Sequence, residues 1–252
     1  MAQIDLNCDL GESFGRYSIG NDLDILPLIS SANVACGFHA GDFSVMARTV
    51  ALALENETAI GAHPGLPDLQ GFGRRKMEVT PEDIYDMVVY QIGALQAVTA
   101  AQKGILHHVK PHGALYHMAS EDSGDAEAVV RAITDVNPRL LLFAMAGSRL
   151  AEAGERSGLH VIHEVYADRT YQPDGSLTPR SQRNALITDT DQAIQQVLQM
   201  VLKGSVTAVN GDILPIQAET ICVHGDGRAA LAFVERIRKE CQTREIEIKS
   251  WN

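Results

Sequence analysis

The chain has 252 residues, 45% of them hydrophobic, enough to bury the core of a single α/β barrel, a fold that typically uses about 250 residues. It has 21 lysine and arginine residues and 32 aspartate and glutamate residues, so the net charge is −11 at pH 7. Such an acidic surface repels phosphate backbones and anionic lipids, so we expect neither nucleic acid nor a membrane as a partner. The opening residues MAQIDLNCDLGE lack the features of a signal peptide, and no apolar run approaches the roughly 18 residues of a membrane span, so we expect a cytoplasmic protein.

Short apolar runs alternate along the chain with longer segments of helical periodicity, which is the pattern of successive βα units around a largely parallel sheet. Because the runs are apolar throughout, they favour strands that helices bury on both faces. A single domain over residues 1–252 accounts for this pattern. Seven strands are predicted, at Ile4–Cys8, Ala32–Cys36, Ala59–Ala62, Leu106–Lys110, Leu140–Met145, His160–Val165 and Thr220–Val223.

Two helices between these strands have clear boundary signals. Thr80 is a candidate N-cap, with Pro81 at the first helical position and Asp83 three residues after the cap. A second helix is predicted over residues 191–203, and it ends at Gly204 because glycine favours helix termination.

The loops that leave the carboxyl ends of parallel strands build the active site in α/β folds. Six of the seven such loops here carry polar or titratable residues, and only the fifth, FAMAG, lacks them. Four of the nine histidines directly follow separate predicted strands. We therefore expect one site formed by Asn7, Asp9, Glu12, His39, Asp42, His63, Lys110, His112, Tyr116, Glu164, Asp168, Arg169, His224 and Asp226.

Each of these residues also has an ordinary structural explanation. A histidine at a strand end is often only hydrogen-bonded, and Asp42 and Asp226 could both cap helices. Separate structural roles do not explain why so many titratable groups fall on one face of the sheet. Their concentration there favours a functional site.

Two long loops add arginine side chains, whose planar forks suit carboxylate or phosphate oxygens. Residues 64–76 contain Arg74 and Arg75, and residues 167–184 contain Arg169, Arg180 and Arg183. Arg180 and Arg183 could equally serve only to balance the acidic surface. Loops of this length in a compact domain are usually functional or disordered.

Several long motifs, in this order and spacing, resemble the LamB/YcsF family: DLNCDLGE, SANVACGFHAGD, GAHPGLPDLQGFGRR, VKPHGALY, EVYADRTY and VHGD. The resemblance covers nearly the whole chain. It implies a seven-stranded, TIM-like (β/α) barrel related to polysaccharide deacetylase and glycoside hydrolase barrels. It also implies an ATP-dependent 5-oxoprolinase activity, in which 5-oxo-L-proline (pyroglutamate) is opened to L-glutamate together with two further subunits, B and C.

Opening a lactam is amide hydrolysis, in which water is activated, the leaving nitrogen is protonated and charge on the carbonyl oxygen is stabilised. Asp9 and Glu12 are the expected carboxylate pair for base and acid work, and Lys110 is expected to stabilise an oxyanion or a phosphoryl group. Arg74 or Arg75 is expected to hold the substrate carboxylate. Protons are expected to move near neutral pH through His39, His63 and His112. The other strand-end residues are assigned to substrate binding.

The sequence contains neither a GxxxxGK[ST] motif nor a GxGxxG motif that follows a strand. We therefore expect ATP to be used with the partner subunits, while nucleotide binding by this chain stays an alternative.

Two other functions stay open. In a metal-dependent amidohydrolase or deacetylase, Asp9, His39 and His63 would bind a divalent ion that activates water. In a non-enzymatic binding subunit, the barrel would only deliver a ligand or control a partner, and so many proton-transfer groups disfavour that function. The sequence does not decide whether the chain forms a homo-oligomer.

Overall fold

The computed structural model describes residues 2–179, 181–223 and 230–252. Within them the strands are β1 Ala2–Leu10, β2 Ser31–Ala35, β3 Ala59–His63, β4 Leu106–Val109, β5 Leu141–Met145, β6 Val161–Tyr166, β7 Ser205–Thr207, β8 Ile213–Pro215, β9 Thr220–Val223 and β10 Ile246–Ile248. The helices are α1 Asp22–Ile25, α2 Phe43–Glu55, α3 Pro81–Ala101, α4 Gly113–Glu121, α5 Ser123–Val136, α6 Arg149–Ser157, α7 Thr190–Lys203 and α8 Ala230–Thr243.

Seven strands form a closed barrel in which every neighbour is parallel. The order is β1-β2-β3-β4-β5-β6-β9, and β9 pairs again with β1. All seven predicted strands are present, with boundaries that differ by a few residues at most from the predicted ones, so the predicted seven-stranded barrel is confirmed. No helix among the described residues has both the length and the apolar character that crossing a bilayer requires.

Local sequence signals determine where the helices begin and end. Thr80 accepts a hydrogen bond from the Asp83 amide while the Asp83 carboxylate accepts one from the Thr80 amide, a reciprocal capping box that starts α3. Asp42 caps α2 by accepting from the amides of the next turn. Gly204 ends α7 in the left-handed conformation at φ 58°, as its position in the sequence predicts.

The barrel interior is more polar than the apolar strand sequences suggest. Asn7, Asn33 and His108, on three different strands, meet inside it: the Asn33 amide donates to Asn7 Oδ1 at 2.8 Å, and His108 Nε2 donates to Asn33 Oδ1 at 2.8 Å. His108 also stacks on Phe143 with ring centroids 4.1 Å apart. Gly61 leaves the space that the His108 ring occupies, since a Cβ there would overlap it. Apolar side chains of the same strands belong to the main hydrophobic core together with side chains of the helices.

The amino-terminal end of the barrel is covered by the chain that follows α8. Strand β10 pairs in parallel with the first residues of β1. Trp251 then packs against Leu141, Phe143 and Ile162 and donates its indole N–H to the Glu219 carbonyl at 2.8 Å. The opposite, carboxyl-terminal end remains open to a cavity.

Candidate active site at the carboxyl ends of the strands

A cavity of about 1230 Å³ lies at the carboxyl ends of the barrel strands. Its walls include five of the six residues predicted to be catalytic, and the sixth, His39, lies directly behind them with 1% of its surface exposed. The structure therefore brings this predicted set together. The five in the walls are Asp9, Glu12, His63, Lys110 and His112.

Lys110 lies at the centre of a buried charge cluster. Its Nζ is 2.9 Å from Asp9 Oδ1 and 3.0 Å from Glu164 Oε1, and it donates to Asn7 Oδ1 at 3.1 Å. Burial alone would lower the pKa of Lys110, but the nearby carboxylates, Asp9 foremost, outweigh burial and hold the pKa well above its ordinary value. The ammonium is therefore charged and directed at fixed protein acceptors.

Glu164 is held by hydrogen bonds from several sides. The phenol groups of Tyr116 and Tyr166 donate to Oε2 at 2.7 and 2.9 Å, and the Asn7 amide donates to Oε1 at 3.0 Å. Burial first, and the Glu164 charge second, raise the pKa of both tyrosines well above the ordinary value, so both phenols keep their protons. Tyr166 was not among the predicted residues, although its place in EVYADR, at the end of β6, is a signal that could have identified it.

Backbone carbonyls indicate which ring nitrogen carries a proton in two histidines of the cavity wall. His63 Nδ1 lies 2.7 Å from the Lys110 carbonyl, and His112 Nε2 lies 2.8 Å from the Phe72 carbonyl. Since a carbonyl oxygen only accepts, these nitrogens carry the protons. The remaining nitrogens, His63 Nε2 and His112 Nδ1, face each other across 3.0 Å.

His39 stacks on His112 with ring centroids 3.7 Å apart and an angle of 6° between the planes. Neither ring nitrogen of His39 makes a hydrogen bond within the described residues, although Nε2 lies 3.4 Å from Glu12 Oε1. Burial, followed by the neighbouring histidines, lowers the pKa of His39 well below its ordinary value. Burial and then His63 lower the pKa of His112 to about 3, so both rings are neutral near pH 7.

The loop over residues 64–76 packs against His39 and His112. The ring of Phe72, a residue with φ 55°, meets His39 and His112 edge-on. Gly73 allows this close approach, because a Cβ there would lie 2.6 Å from His39 Cβ. Arg74 lies over the Phe72 ring at 5.1 Å and lines the cavity.

The other predicted residues have different surroundings. Arg75 does not line the cavity, and its guanidinium pairs with Asp68. The Arg169 guanidinium reaches the cavity wall but also donates to the carbonyls of Thr178 and Ala185. Asp42 caps α2 and also accepts from the Gly15 amide.

Four further residues predicted from the sequence are not among the described residues that line the cavity. Asp168 is not among the described residues that line the cavity. The predictions at Arg180, His224 and Asp226 lie outside the described residues. Conversely, the fifth loop, which carries no titratable group, supplies Ser148 to the wall and to the N-cap of α6.

One group of side chains has the composition of a metal site. Donor atoms of Glu12, His39, His63 and His112 all lie within 4.8 Å of one another. The set predicted from the sequence contained Asp9 in place of Glu12 and His112. In the structure Asp9 Oδ2 lies 3.3 Å from His63 Nε2, while Asp9 Oδ1 is bonded to Lys110 and Asn33.

Comparisons with known proteins agree over the full chain. The sequence model of the LamB/YcsF family matches residues 4–252. A relative from Brevibacillus brevis, named as the A component of 5-oxoprolinase, is 59% identical over 239 residues, which cover 95% of this chain and 94% of the relative. The crystal structure of a lactam utilization protein from Thermus thermophilus has 42% identity and a TM-score of 0.95, covering 99% of this chain and 100% of that one.

A more distant likeness concerns the fold alone. The catalytic domain of a peptidoglycan N-acetylglucosamine deacetylase from Eubacterium rectale has a TM-score of 0.53 at 12% identity, and the match covers 100% of this chain and 89% of that domain. The barrel is thus shared with deacetylases, as the family resemblance implies.

Proposed function

Because this chain belongs to the LamB/YcsF family, we propose that it is the A component of an ATP-dependent 5-oxoprolinase, which opens 5-oxo-L-proline to L-glutamate together with subunits B and C. The observation that carries the proposal is the meeting of two carboxylates, three histidines and a buried lysine around one cavity. The relatives are named as one component of a multi-subunit enzyme, which supports the requirement for partners.

The geometry supports distinct roles for the two carboxylates. Asp9 is fixed by Lys110 and Asn33 through Oδ1 and faces the cavity, which suits a base that activates water. Glu12 has its Oε1 3.4 Å from His39 Nε2 and 3.8 Å from His112 Nδ1, so it is the carboxylate that the histidines hold. Lys110 directs its protons at protein acceptors, so its part is to position Asp9 and keep it charged, in place of the oxyanion contact expected from the sequence.

Arg74 is the arginine we assign to the carboxylate of the substrate. It lines the cavity and is steadied by the Phe72 ring, whereas Arg75 is already paired with Asp68. A guanidinium fork binds a carboxylate through two parallel hydrogen bonds.

We assign the use of ATP to the partner subunits. The chain carries no recognised phosphate-binding loop, and Lys110, the buried cation, is held by carboxylates. The partners would activate the lactam carbonyl, and this chain would complete the hydrolysis. We place the reaction in the cytoplasm, where ATP is available.

A second candidate is a metal-dependent amidohydrolase that works without partners. The cluster of one glutamate and three histidines favours it, because imidazole and carboxylate ligands are typical of catalytic zinc sites.

The two candidates differ in what the isolated chain can do. With 5-oxoproline, Mg²⁺ and ATP the purified chain should release essentially no glutamate, and adding subunits B and C should restore ring opening coupled to ATP breakdown. Glutamate and phosphate are measured in the same samples. Turnover by the chain alone, at a rate comparable to that of the complex, would favour the second candidate.

Asp9→Asn tests the assigned base in the assay that contains all three proteins. General bases typically contribute roughly 10²- to 10⁴-fold, so glutamate formation should fall by that factor while ATP breakdown falls less. Glu127→Gln, at an exposed surface ion pair with Arg156, is the control and should match the unchanged chain. An unaltered ratio of glutamate to phosphate in Asp9→Asn would remove Asp9 from the mechanism.

A further inference from the structure

Two imidazole nitrogens and a carboxylate oxygen meet at one point in the wall of the cavity. His63 Nδ1 and His112 Nε2 donate to the carbonyls of Lys110 and Phe72, and the second ring nitrogens, His63 Nε2 and His112 Nδ1, face each other at 3.0 Å. Asp9 Oδ2, the carboxylate oxygen, lies 3.3 Å from the same His63 nitrogen. Groups with lone pairs at such distances repel unless a proton or a metal cation lies among them.

The spacing of the donors fits a small divalent ion. Zinc–nitrogen bonds of about 2.1 Å in a tetrahedral arrangement place neighbouring ligand atoms roughly 3.4 Å apart. The observed separations bracket this value, with 3.0 Å between the His63 and His112 nitrogens and 3.8 Å from His112 Nδ1 to Glu12 Oε1. Metal-bound histidines usually donate their other N–H to a carbonyl or carboxylate, as both histidines do here.

The stacking of His39 excludes it from the same coordination sphere. An ion bound in the plane of the His112 ring lies well over 3 Å from the plane of a parallel ring whose centroid is 3.7 Å away. That distance exceeds the roughly 2.1 Å of a zinc–imidazole bond. His39 Nε2 instead faces Glu12 Oε1 at 3.4 Å, the position of a group that orients the carboxylate.

We propose that His63 Nε2, His112 Nδ1 and Glu12 Oε1 bind one divalent transition-metal ion of the zinc class, and that His39 is a positioning residue for Glu12. Two histidines and one glutamate are the protein ligands of several hydrolytic zinc enzymes, which keep a further position open. Here both histidines and Glu12 line the cavity, so the open coordination position of the ion faces the cavity. An ion bound there would polarise a carbonyl oxygen or activate a water molecule. The proposal does not rest on the ring-opening reaction, because ion binding belongs to the chain itself.

The test uses the full chain after removal of metal with a chelator, titrated with Zn²⁺ by calorimetry and with Co²⁺ by visible absorption. We expect one ion per chain and a cobalt spectrum typical of low coordination number. His63→Ala and His112→Ala should each weaken binding by more than about 100-fold, because loss of a group that only orients a ligand already costs about 10- to 100-fold. His160→Gln, which removes an exposed histidine outside the cluster, is the control and should leave binding unchanged.

Two substitutions distinguish whether His39 positions Glu12 or binds the ion as a ligand. His39→Gln retains an N–H that can donate to Glu12, so its affinity for Zn²⁺ should stay within about tenfold of that of the unchanged chain. In His39→Leu the affinity for Zn²⁺ should fall by about 10- to 100-fold. Circular dichroism and thermal unfolding confirm that each variant is folded. If His39→Gln loses as much affinity as His112→Ala, the ligand assignment is wrong.

Failure of this site is distinguishable from failure of the proposed function. If the chain binds neither ion in the micromolar range while the assay with subunits B and C still yields glutamate, the metal site is overturned and ring opening stands. Retention of one ion by Asp9→Asn, together with loss of glutamate formation, supports both assignments. Loss of the ion from Asp9→Asn to the same extent as from His63→Ala would overturn the three-ligand set.

Discussion

Replacing Lys110 with methionine should destabilise the fold strongly. Methionine has a similar length and no charge, so the change removes the ammonium while largely filling its space. The Lys110 side chain is 3% exposed, and its two carboxylate partners, Asp9 and Glu164, are 16% and 0% exposed. In the variant these two carboxylates would share a buried site without a cation.

The expected loss is about 3–5 kcal/mol in the free energy of unfolding, the range for removing one partner of a buried ion pair. Adding Glu164→Gln should recover about 1–3 kcal/mol, because the second substitution removes one of the uncompensated charges. As a matched control, Arg156→Met breaks an ion pair with Glu127 whose members are 61% and 68% exposed, and it should cost less than about 1 kcal/mol.

The assay is urea unfolding followed by circular dichroism, with the slope of the transition compared among all variants. Equal slopes show that midpoint changes report stability. A loss below about 1 kcal/mol in Lys110→Met, or no recovery in the double variant, would refute the view that Lys110 neutralises two buried carboxylates.

Gly61→Ala should lower the free energy of unfolding by about 1–3 kcal/mol, because its methyl group would overlap the His108 ring. Gly93→Ala, with open space around it in α3, should raise the free energy of unfolding by about 0.5–1 kcal/mol in the same urea assay. Thr80→Ala should cost about 1 kcal/mol through loss of the α3 cap, measured by urea unfolding. Acidification from pH 7 to pH 5, with chelator present, should lower stability by about 2 kcal/mol through His112, because the unfolded ring takes up a proton below about pH 6.5 while the folded ring, of pKa about 3, does not. His112→Phe should lose that part of the pH dependence.

The barrel strands could be predicted because each is a short apolar run with a helical segment after it. The hairpin of β7 and β8 and the strand β10 could not, since each has only three residues and no periodicity develops over so short a length. The polar interior was also missed. Asn33 appears in the sequence as one polar residue in an apolar run, and Asn7 alternates with Asp5 and Asp9 in the first strand. Only the closed barrel shows that the two asparagines meet.

The sequence predicts which residues form the site, but it does not predict which of their atoms contact one another. Strand-end positions identified Asp9, His63 and Lys110, because parallel strands deliver their carboxyl ends to one place. Which ring nitrogen of a histidine faces the cavity depends on tertiary contacts, such as the hydrogen bond from His112 Nε2 to the Phe72 carbonyl. The spacing of residues in the sequence does not encode such contacts. For the same reason the sequence could not show that Arg75 is bound to Asp68 while its neighbour lines the cavity.

Strand β1 has a consequence for the order in which the molecule assembles. It pairs with β2 nearby in sequence, but its other neighbours, β9 and β10, come from the far end of the chain, and the bonded pair Asp5 and Thr220 is 215 positions apart. Contacts at such separations form slowly, since the loop between them must be closed first. During synthesis the earliest strand therefore has an open edge until residue 223 has emerged. The nascent chain then presents an unpaired strand edge and an uncovered polar interior, and such an edge can pair with another chain before the barrel closes.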